Sequence, residues 1–391
     1  MANCLIGFFT GLSVGSSVIT AKYFGAKDKN SLKKTIHTAI AVSFSIGAVF
    51  MVIGLTAAPT LLKLLDTPQE IFDTAVVYIR IYFLSFISIV SYNIGSGLLR
   101  ALGDSRSPVL HQLIGGIFNV IANAFFIWIL GWGVQGAAIA TFISQSIAAF
   151  LTIRRLTKLQ ETYKLTAKEL KIDKSNLIET LMVGIPAAIQ AVAITFSNLV
   201  VQYHINSLGV DSVAAFTCYF KVEQMIYLPI MSLGQAATVF TSQNIGAGQI
   251  NRLKKGLKQI LCVGLLITLA LSFSTLSFSS LAFGLFTSQA EVVAVGQSIA
   301  SVTFPFFFLY VFIEVLTSSF RGAGHAVASM VIVICNICVI RSILLFPIMR
   351  HYFSAQGVAM VYPITWAGCA LCLWLFYFIS DWLPKESRPY E

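Results

Sequence analysis

Charge is scarce in this chain. Only 11% of its 391 residues are Asp, Glu, Lys or Arg, against about 25% in soluble domains. A soluble protein of this length could bury a core but could not solvate its surface with so few charges. Short alternating apolar–polar segments are missing, which excludes a transmembrane β-barrel. The N-terminus lacks the basic start and small-residue cleavage site of a signal peptide. No Gly-Lys-Ser/Thr signature exists. Gly246-Ala247-Gly248 and Gly322-Ala323-Gly324 follow apolar helices rather than strands, so they are not phosphate loops and no ATP site is expected. No catalytic triad or zinc motif is visible, so neither an enzyme nor a cofactor is expected.

Seven cysteines are scattered, and Cys262, Cys335, Cys338, Cys369 and Cys372 lie within apolar runs. Cys335 and Cys338 form a C-x-x-C, but inside an apolar span the default is a small buried hydrophobe rather than a metal or redox pair.

What the chain does have is apolar sequence. Hydrophobic residues make up 57% and come in blocks of about 20 or more, the length a helix needs to cross roughly 30 Å of hydrocarbon. The expected fold is an all-α polytopic membrane protein. Spans are predicted at 36–62, 70–99, 107–130, 134–154, 176–206, 211–243, 256–285, 291–320, 326–349 and 355–380.

The chain also repeats itself. Gly25-Ala26 and Leu32-Lys33-Lys34 recur 221 positions later as Gly246-Ala247 and Leu253-Lys254-Lys255. The same offset carries Glu70 onto Glu291, Arg100 onto Arg321, Gly103 onto Gly324 and Gln135-Gly136 onto Gln356-Gly357. The chain therefore reads as two copies of one unit. By this register Met1 falls on residue 222, so the first copy lacks about one and a third helices. The expected plan is two parallel six-helix repeats, twelve spans, with the first helix and part of the second missing. The predicted organisation is an N-lobe at 1–156, an amphipathic linker on the cytoplasmic membrane surface at 157–175, a C-lobe at 176–382 and a cytoplasmic tail at 383–391.

Net charge is +10. Membrane topology explains it without nucleic acid. One set of loops, the linker and the tail hold 21 of the 26 basic residues; the opposite loops hold only Lys63 and Arg350. The basic side is cytoplasmic, in a cytoplasmic (inner or plasma) membrane. Six spans per copy give both copies the same orientation, the parallel-repeat plan in which transporters place a substrate cavity between lobes.

Several stretches carry a family resemblance. They are Gly11-Leu12-Ser13-Val14-Gly15 leading to Ala21-Lys22-Tyr23-Phe24-Gly25-Ala26, Leu98-Leu99-Arg100-Ala101-Leu102-Gly103-Asp104-Ser105 with its repeat Phe320-Arg321-Gly322-Ala323-Gly324, Gln243-Asn244-Ile245-Gly246-Ala247-Gly248, Gly184-Ile185-Pro186, and Gly133-Val134-Gln135-Gly136-Ala137-Ala138. Together they resemble the multidrug and toxic compound extrusion (MATE) family of the multidrug/oligosaccharidyl-lipid/polysaccharide exporter superfamily. The resemblance implies a V-shaped pair of six-helix bundles. It also implies export of cationic or amphiphilic compounds driven by Na⁺ or H⁺ entry. Many relatives have Asn-x-x-x-Asp in the fifth helix; here it is Asn119-Val120-Ile121-Ala122-Asn123, which removes a charge. The family's acidic residue in the first helix falls in the missing part.

Ionisable groups inside a bilayer are costly and call for a reason. Glu314 is the first candidate for cation or proton coupling, because the resemblance places an acidic coupling residue in this helix and desolvation lets a carboxylate hold H⁺ or Na⁺. The competing assignment is a structural ion pair with Arg341 on the next helix. Glu223 is the second coupling candidate. Arg80 and Arg341 are expected to form intramembrane charge pairs. Lys221, two residues from Glu223, faces elsewhere on the helix. It joins the substrate-cavity candidates Asn93 (the repeat mate of Glu314), Asn119, Asn123, Gln190, Asn198 and Gln202. Interhelical hydrogen bonding is the alternative role for these amides. The expected partners are small organic cations and the lipid bilayer, with no nucleic acid and no ATP, and the chain is expected to act as a monomer. Two other functions stay open: a lipid-linked saccharide flippase of the same superfamily, which a basic cavity floor would favour, and a non-transporting membrane fragment.

Overall fold

The computed structural model describes residues 2–64 and 66–384, with side chains from Gly7 onward. Residues 385–391 of the expected tail, including Lys385 and Arg388, lie outside the described residues. Among those described there is no strand. The helices are α1 (Ala2–Gly25), α2 (Lys29–Leu64), α3 (Gln69–Leu84), α4 (Phe86–Ala101), α5 (Arg106–Asn123), α6 (Gly133–Thr157), α7 (Lys174–Asn206), α8 (Val210–Gly246), α9 (Ile250–Ser277), α10 (Ser279–Gly284), α11 (Ala290–Thr303), α12 (Phe307–Gly322), α13 (Ala326–Val333), α14 (Arg341–His351) and α15 (Ala355–Ile379). Short π-helical stretches, Ala124–Ile129 and Ile334–Ile340, extend α5 and join α13 to α14. Among the described residues, nine helices or end-to-end helix pairs are long and apolar enough to cross a membrane. This is an all-α polytopic membrane protein.

The 221-residue offset is visible in the backbone. After α1 the Ala26 and Asp28 N–H groups donate to Lys22 and Tyr23 carbonyls at 2.9 and 3.1 Å; after α8 those of Ala247 and Gln249 donate to Gln243 and Asn244 at 2.9 and 2.8 Å. Between these donors the chain enters the left-handed region in both copies, at Lys27 (φ 57°) and Gly248 (φ 67°). A Cβ disfavours that conformation and glycine does not, so the second copy makes the turn with less strain. The turns after α4 and α12 match as well, with φ 89° at Gly103 and 91° at Gly324. The break between α3 and α4 at Ser85 and the turn of 3₁₀ helix at Phe304–Phe306 also fall at the same register. Pro305 supplies the break in the second copy. In the first, the Ser85 hydroxyl bonds the Tyr82 carbonyl instead.

Two compact units emerge, Leu12–Leu181 and Met1–Gly11 with Met182–Glu391. In the first, α2 packs on α3 and α4, and α6 packs on α3, α4 and α5. In the second, α8 is central, against α9, α11 and α12, and α15 covers α11, α12 and α14. Between membrane helices, packing and hydrogen bonds replace the hydrophobic effect as the source of association. The α8–α12 seam uses both, in rungs one turn apart. Thr238 Oγ1 donates to the Ser318 carbonyl at 3.3 Å, and Ser242 Oγ to the Gly322 carbonyl at 2.8 Å. One turn earlier, Gly234 faces Glu314.

Residues 158–173 differ from the amphipathic helix expected of the linker. Apart from a single 3₁₀ turn at Ala167–Glu169, the segment is irregular. Its apolar residues do not hold a 3.6-residue period, and α2 offers its backbone other partners. Thr166 N–H donates to His37 Nε2 (3.1 Å) and Asp173 N–H to Thr38 Oγ1 (3.0 Å), while Lys33 pairs with Glu169 at 2.7 Å. Tyr163 and Leu165 are buried.

Candidate coupling site in the C-terminal unit

The residues with most chemistry converge in the second unit. On α8, Tyr219, Glu223 and Tyr227 stand four residues apart, and on α12 so do Tyr310, Glu314 and Ser318. Residues at i and i+4 share a helix face, so each helix presents one polar stripe. The stripes meet where the Tyr227 and Tyr310 rings lie 5.5 Å apart. Glu314 and Glu223 are both half-buried. The Ser318 hydroxyl donates to Glu314 Oε1 (3.3 Å) and accepts from Arg321 Nη2 (2.9 Å), and Arg321 stands 3.7 Å from the carboxylate. Arg321 is seven residues along, two turns of the same face, which its long side chain spans. Tyr219, one turn from Glu223 on the same face, donates to Thr303 Oγ1 at 3.0 Å.

Space for the Glu314 carboxylate comes from Gly234. A Cβ at that position would fall 2.6 Å from Glu314 Cγ and 2.9 Å from Cδ. The repeat supplies a comparison. Gly234 and Ser318 correspond to Ser13 and Gly97, and Glu314 to Asn93. In the first unit Ser13 Oγ donates to the Asn93 carbonyl at 2.7 Å, and Gly97 is the residue that makes room for Ser13. One serine and one glycine are thus exchanged across the seam. The exchange moves the free volume to where the second copy has its carboxylate.

Arg341, almost fully buried, donates to Asn198 Oδ1 (3.3 Å), and its guanidinium lies 4.7 Å over the Tyr362 ring. It acts electrostatically on Glu223. Three expectations are corrected here. The ion-pair partner of Glu314 is Arg321, which the long side chain reaches along one helix, and not Arg341. Among the described residues Arg341 forms no ion pair within 4.0 Å; the amide of Asn198 and a ring face hold it. Arg80 forms no ion pair among the described residues either. Its Nε donates to the Leu55 carbonyl at 3.2 Å. That carbonyl lies four residues before Pro59, which has no N–H to offer it, so Arg80 satisfies an acceptor that proline leaves open.

The other candidates are dispersed. Lys221 is exposed and sits 5.4 Å over the Phe286 ring. Asn93 Nδ2 donates to the Ile89 carbonyl. Asn119 and Asn123 bond each other, and Asn119 reaches Ser144 on α6 at 3.4 Å. Gln202 bonds Asn206. Gln190 is buried, and its Oε1 has no partner among the described residues. Cys262 and Cys335, expected to be buried, are exposed; their helices' outer faces are apolar too, as lipid-facing surfaces must be. The tyrosines at 219, 227, 310 and 362 and the room at Gly234 went unread in the sequence. The i±4 spacing around each glutamate was the available signal for the first three.

Duplicated membrane bundles with carboxylates inside one of them define a polytopic membrane protein of transporter architecture. A sequence profile of the MatE family matches residues 1–125 and 186–346, and the chain belongs to that family. It is a multi-pass plasma-membrane protein whose family and fold are those of membrane transporters. It is 27% identical over 383 residues to the "Probable multidrug resistance protein YoeA" of Bacillus subtilis, covering 95% of this chain and 82% of the relative. It is 24% identical to the "Multidrug export protein MepA" of Staphylococcus aureus, covering 98% and 84%. Among solved structures, one titled "Outward-facing conformation of a multidrug resistance MATE family transporter of the MOP superfamily" matches with a TM-score of 0.89 at 24% identity, over 95% of this chain and 84% of that one. It shares the fold.

Proposed function

We propose that the protein is a secondary antiporter that exports organic, cationic compounds in exchange for Na⁺ or H⁺, with Glu314 and Glu223 as the coupling carboxylates. The observation that carries this reading is the setting of Glu314. Arg321 at 3.7 Å is well beyond the roughly 2.7–2.9 Å of a charge-assisted hydrogen bond, and the carboxylate occupies the place that a Cβ at Gly234 would take. Glu314 is therefore steadied but not saturated, and lone pairs remain for a proton or a small cation. Taking up that cation cancels the charge Arg321 faces, which is the change a coupled carrier needs. Two glutamates and two arginines sum to neutrality, and the ring faces of Tyr227 and Tyr310 suit an organic cation. Relatives named for multidrug resistance and export support the substrate class.

The saccharide flippase is less favoured. Its basic floor would need Arg80, Lys221 and Arg341, but Arg80 is engaged with Leu55, Lys221 is exposed beside Phe286, and Arg341 is held by Asn198 and the Tyr362 ring. The test is efflux from vesicles reconstituted with the protein, under separate Na⁺ and pH gradients. Glu314→Gln is expected to abolish gradient-driven efflux of an organic cation while the protein stays inserted. Undiminished efflux by that variant would remove Glu314 from the mechanism.

A further inference from the structure

A second site lies on the C-terminal unit, between α7 and the helix formed by Ile334–Ile340 and α14. It is a cavity of about 840 Å³ lined almost wholly by apolar atoms. Phe196, Leu199 and Tyr203 form one wall and Val339, Ile343 and Phe346 the other, all six at least half exposed. At the floor, Ser197 Oγ donates to the Ile337 carbonyl at 3.0 Å and ties the two helices together. In a water-filled setting such a groove would be costly; in a bilayer it is a slot for hydrocarbon.

Its length and its mouth point to one occupant. From Val339 to Phe346 is seven residues, about 10 Å at 1.5 Å per residue, and Arg350 lies one further turn along, about 6 Å beyond. The sum is close to half of the roughly 30 Å hydrocarbon core, the depth of one leaflet. Ile343, Phe346 and Arg350 stand three and four residues apart, on one face. Arg350 is exposed and is, with Lys63, one of two basic residues in the loops opposite the cytoplasmic side. A basic residue where the topology keeps few, set above an apolar slot one leaflet deep, matches a phosphate joined to acyl chains.

We propose that this groove binds a phospholipid of the outer leaflet, with an acyl chain between Phe196 and Phe346 and its phosphate on Arg350. The site is separate from the carboxylates of α8 and α12.

The experiment uses the full chain in vesicles containing phosphatidylglycerol whose acyl chain carries a photoactivatable diazirine, with cross-links mapped by mass spectrometry. Labels are expected to concentrate on residues 196–203 and 339–346. Exposed apolar positions elsewhere, Leu266 and Phe273 on α9 and Leu371 on α15, should be labelled several-fold less. Arg350→Ala is expected to lower groove labelling about fivefold, the factor for one basic residue at an anionic membrane surface. Ile343→Trp, which fills the slot, should remove it, while Leu371→Trp should not. Equal labelling of all exposed apolar stripes, the mark of ordinary surrounding lipid, would overturn the proposal. So would displacement of the label by tetraphenylphosphonium at transport concentrations, which would make the groove a cargo site. Loss of efflux in Glu314→Gln with groove labelling intact is expected, so the two sites are tested independently.

Discussion

Gly234→Ala tests the arrangement around Glu314 directly. The added methyl would sit 2.6 Å from Glu314 Cγ and 2.9 Å from Cδ, where carbon atoms prefer about 3.5–4.0 Å. The glutamate side chain must therefore retreat by about 1 Å, and the 3.3 Å contact from Ser318 is the first to break. Overpacking of a well-filled site costs about 1–3 kcal/mol. The expected result is a loss of that size in unfolding free energy, measured by equilibrium unfolding in mixed micelles, together with reduced efflux. Glu314→Ala removes the atoms that collide, so the double variant should recover most of the Gly234→Ala loss. A coupling energy of about 1 kcal/mol or more is expected in the cycle. Additivity within about 0.3–0.5 kcal/mol, as for independent sites, would show that Gly234 does not make the room for the carboxylate and would refute the reasoning.

Arg80→Leu should destabilise the first unit by about 1–3 kcal/mol, because it strands the Leu55 carbonyl; adding Pro59→Ala, whose N–H can take that carbonyl, should recover most of the loss in the same unfolding assay. Between α4 and α5, Asp104 accepts from Ser107 N–H (3.0 Å) and its hydroxyl (2.7 Å), and from Arg155 Nε (2.8 Å). Partial burial raises the Asp104 pKa, but these bonds outweigh it and leave the carboxyl below its ordinary value. A lowered folded-state pKa means stability that is complete above the unfolded value, about 3.9, and is lost as pH falls through the folded one. Asp104→Asn should therefore be less stable near neutrality and should show less further loss on acidification below about pH 4, read from melting temperature against pH.

The periodic features were legible because they depend on many residues at once. Helix positions follow from apolar blocks, and the duplication follows from a fixed offset that the turn hydrogen bonds at Lys27 and Gly248 repeat. Glu314 and Glu223 could be singled out because a charge in an apolar run is rare. Their partners could not. Whether Glu314 pairs with Arg321 or Arg341 depends on side-chain reach and helix rotation, not on which helix is next in the chain. Arg80 shows the same limit. Its acceptor exists because of a proline 21 residues earlier on another helix, and only the packing of α2 on α3 brings them together. The linker misled for a different reason: its leucines suggest a helix, but the buried His37 and Thr38 side chains take its backbone N–H groups.

The serine–glycine exchange across the repeat carries the argument further than either copy alone. A duplicated chain begins with two equal seams, and each seam needs one small residue opposite each larger one to keep its helices close. In the first unit Ser13 bonds the Asn93 backbone and Gly97 gives way to it, so the seam is closed by a hydrogen bond and Asn93 turns its amide to its own helix. In the second the glycine is on α8 and the serine on α12, so the serine faces along its own helix toward a carboxylate while the glycine lets that carboxylate pack against the α8 backbone. The same two small residues, placed on opposite helices, close one seam with a hydrogen bond and let the other hold a carboxylate. That asymmetry is why the proposed coupling site is placed in the C-terminal unit. It also predicts that a Ser13→Gly/Gly97→Ser exchange would be tolerated in the first unit, whereas Gly234→Ser/Ser318→Gly would displace Glu314 and stop efflux.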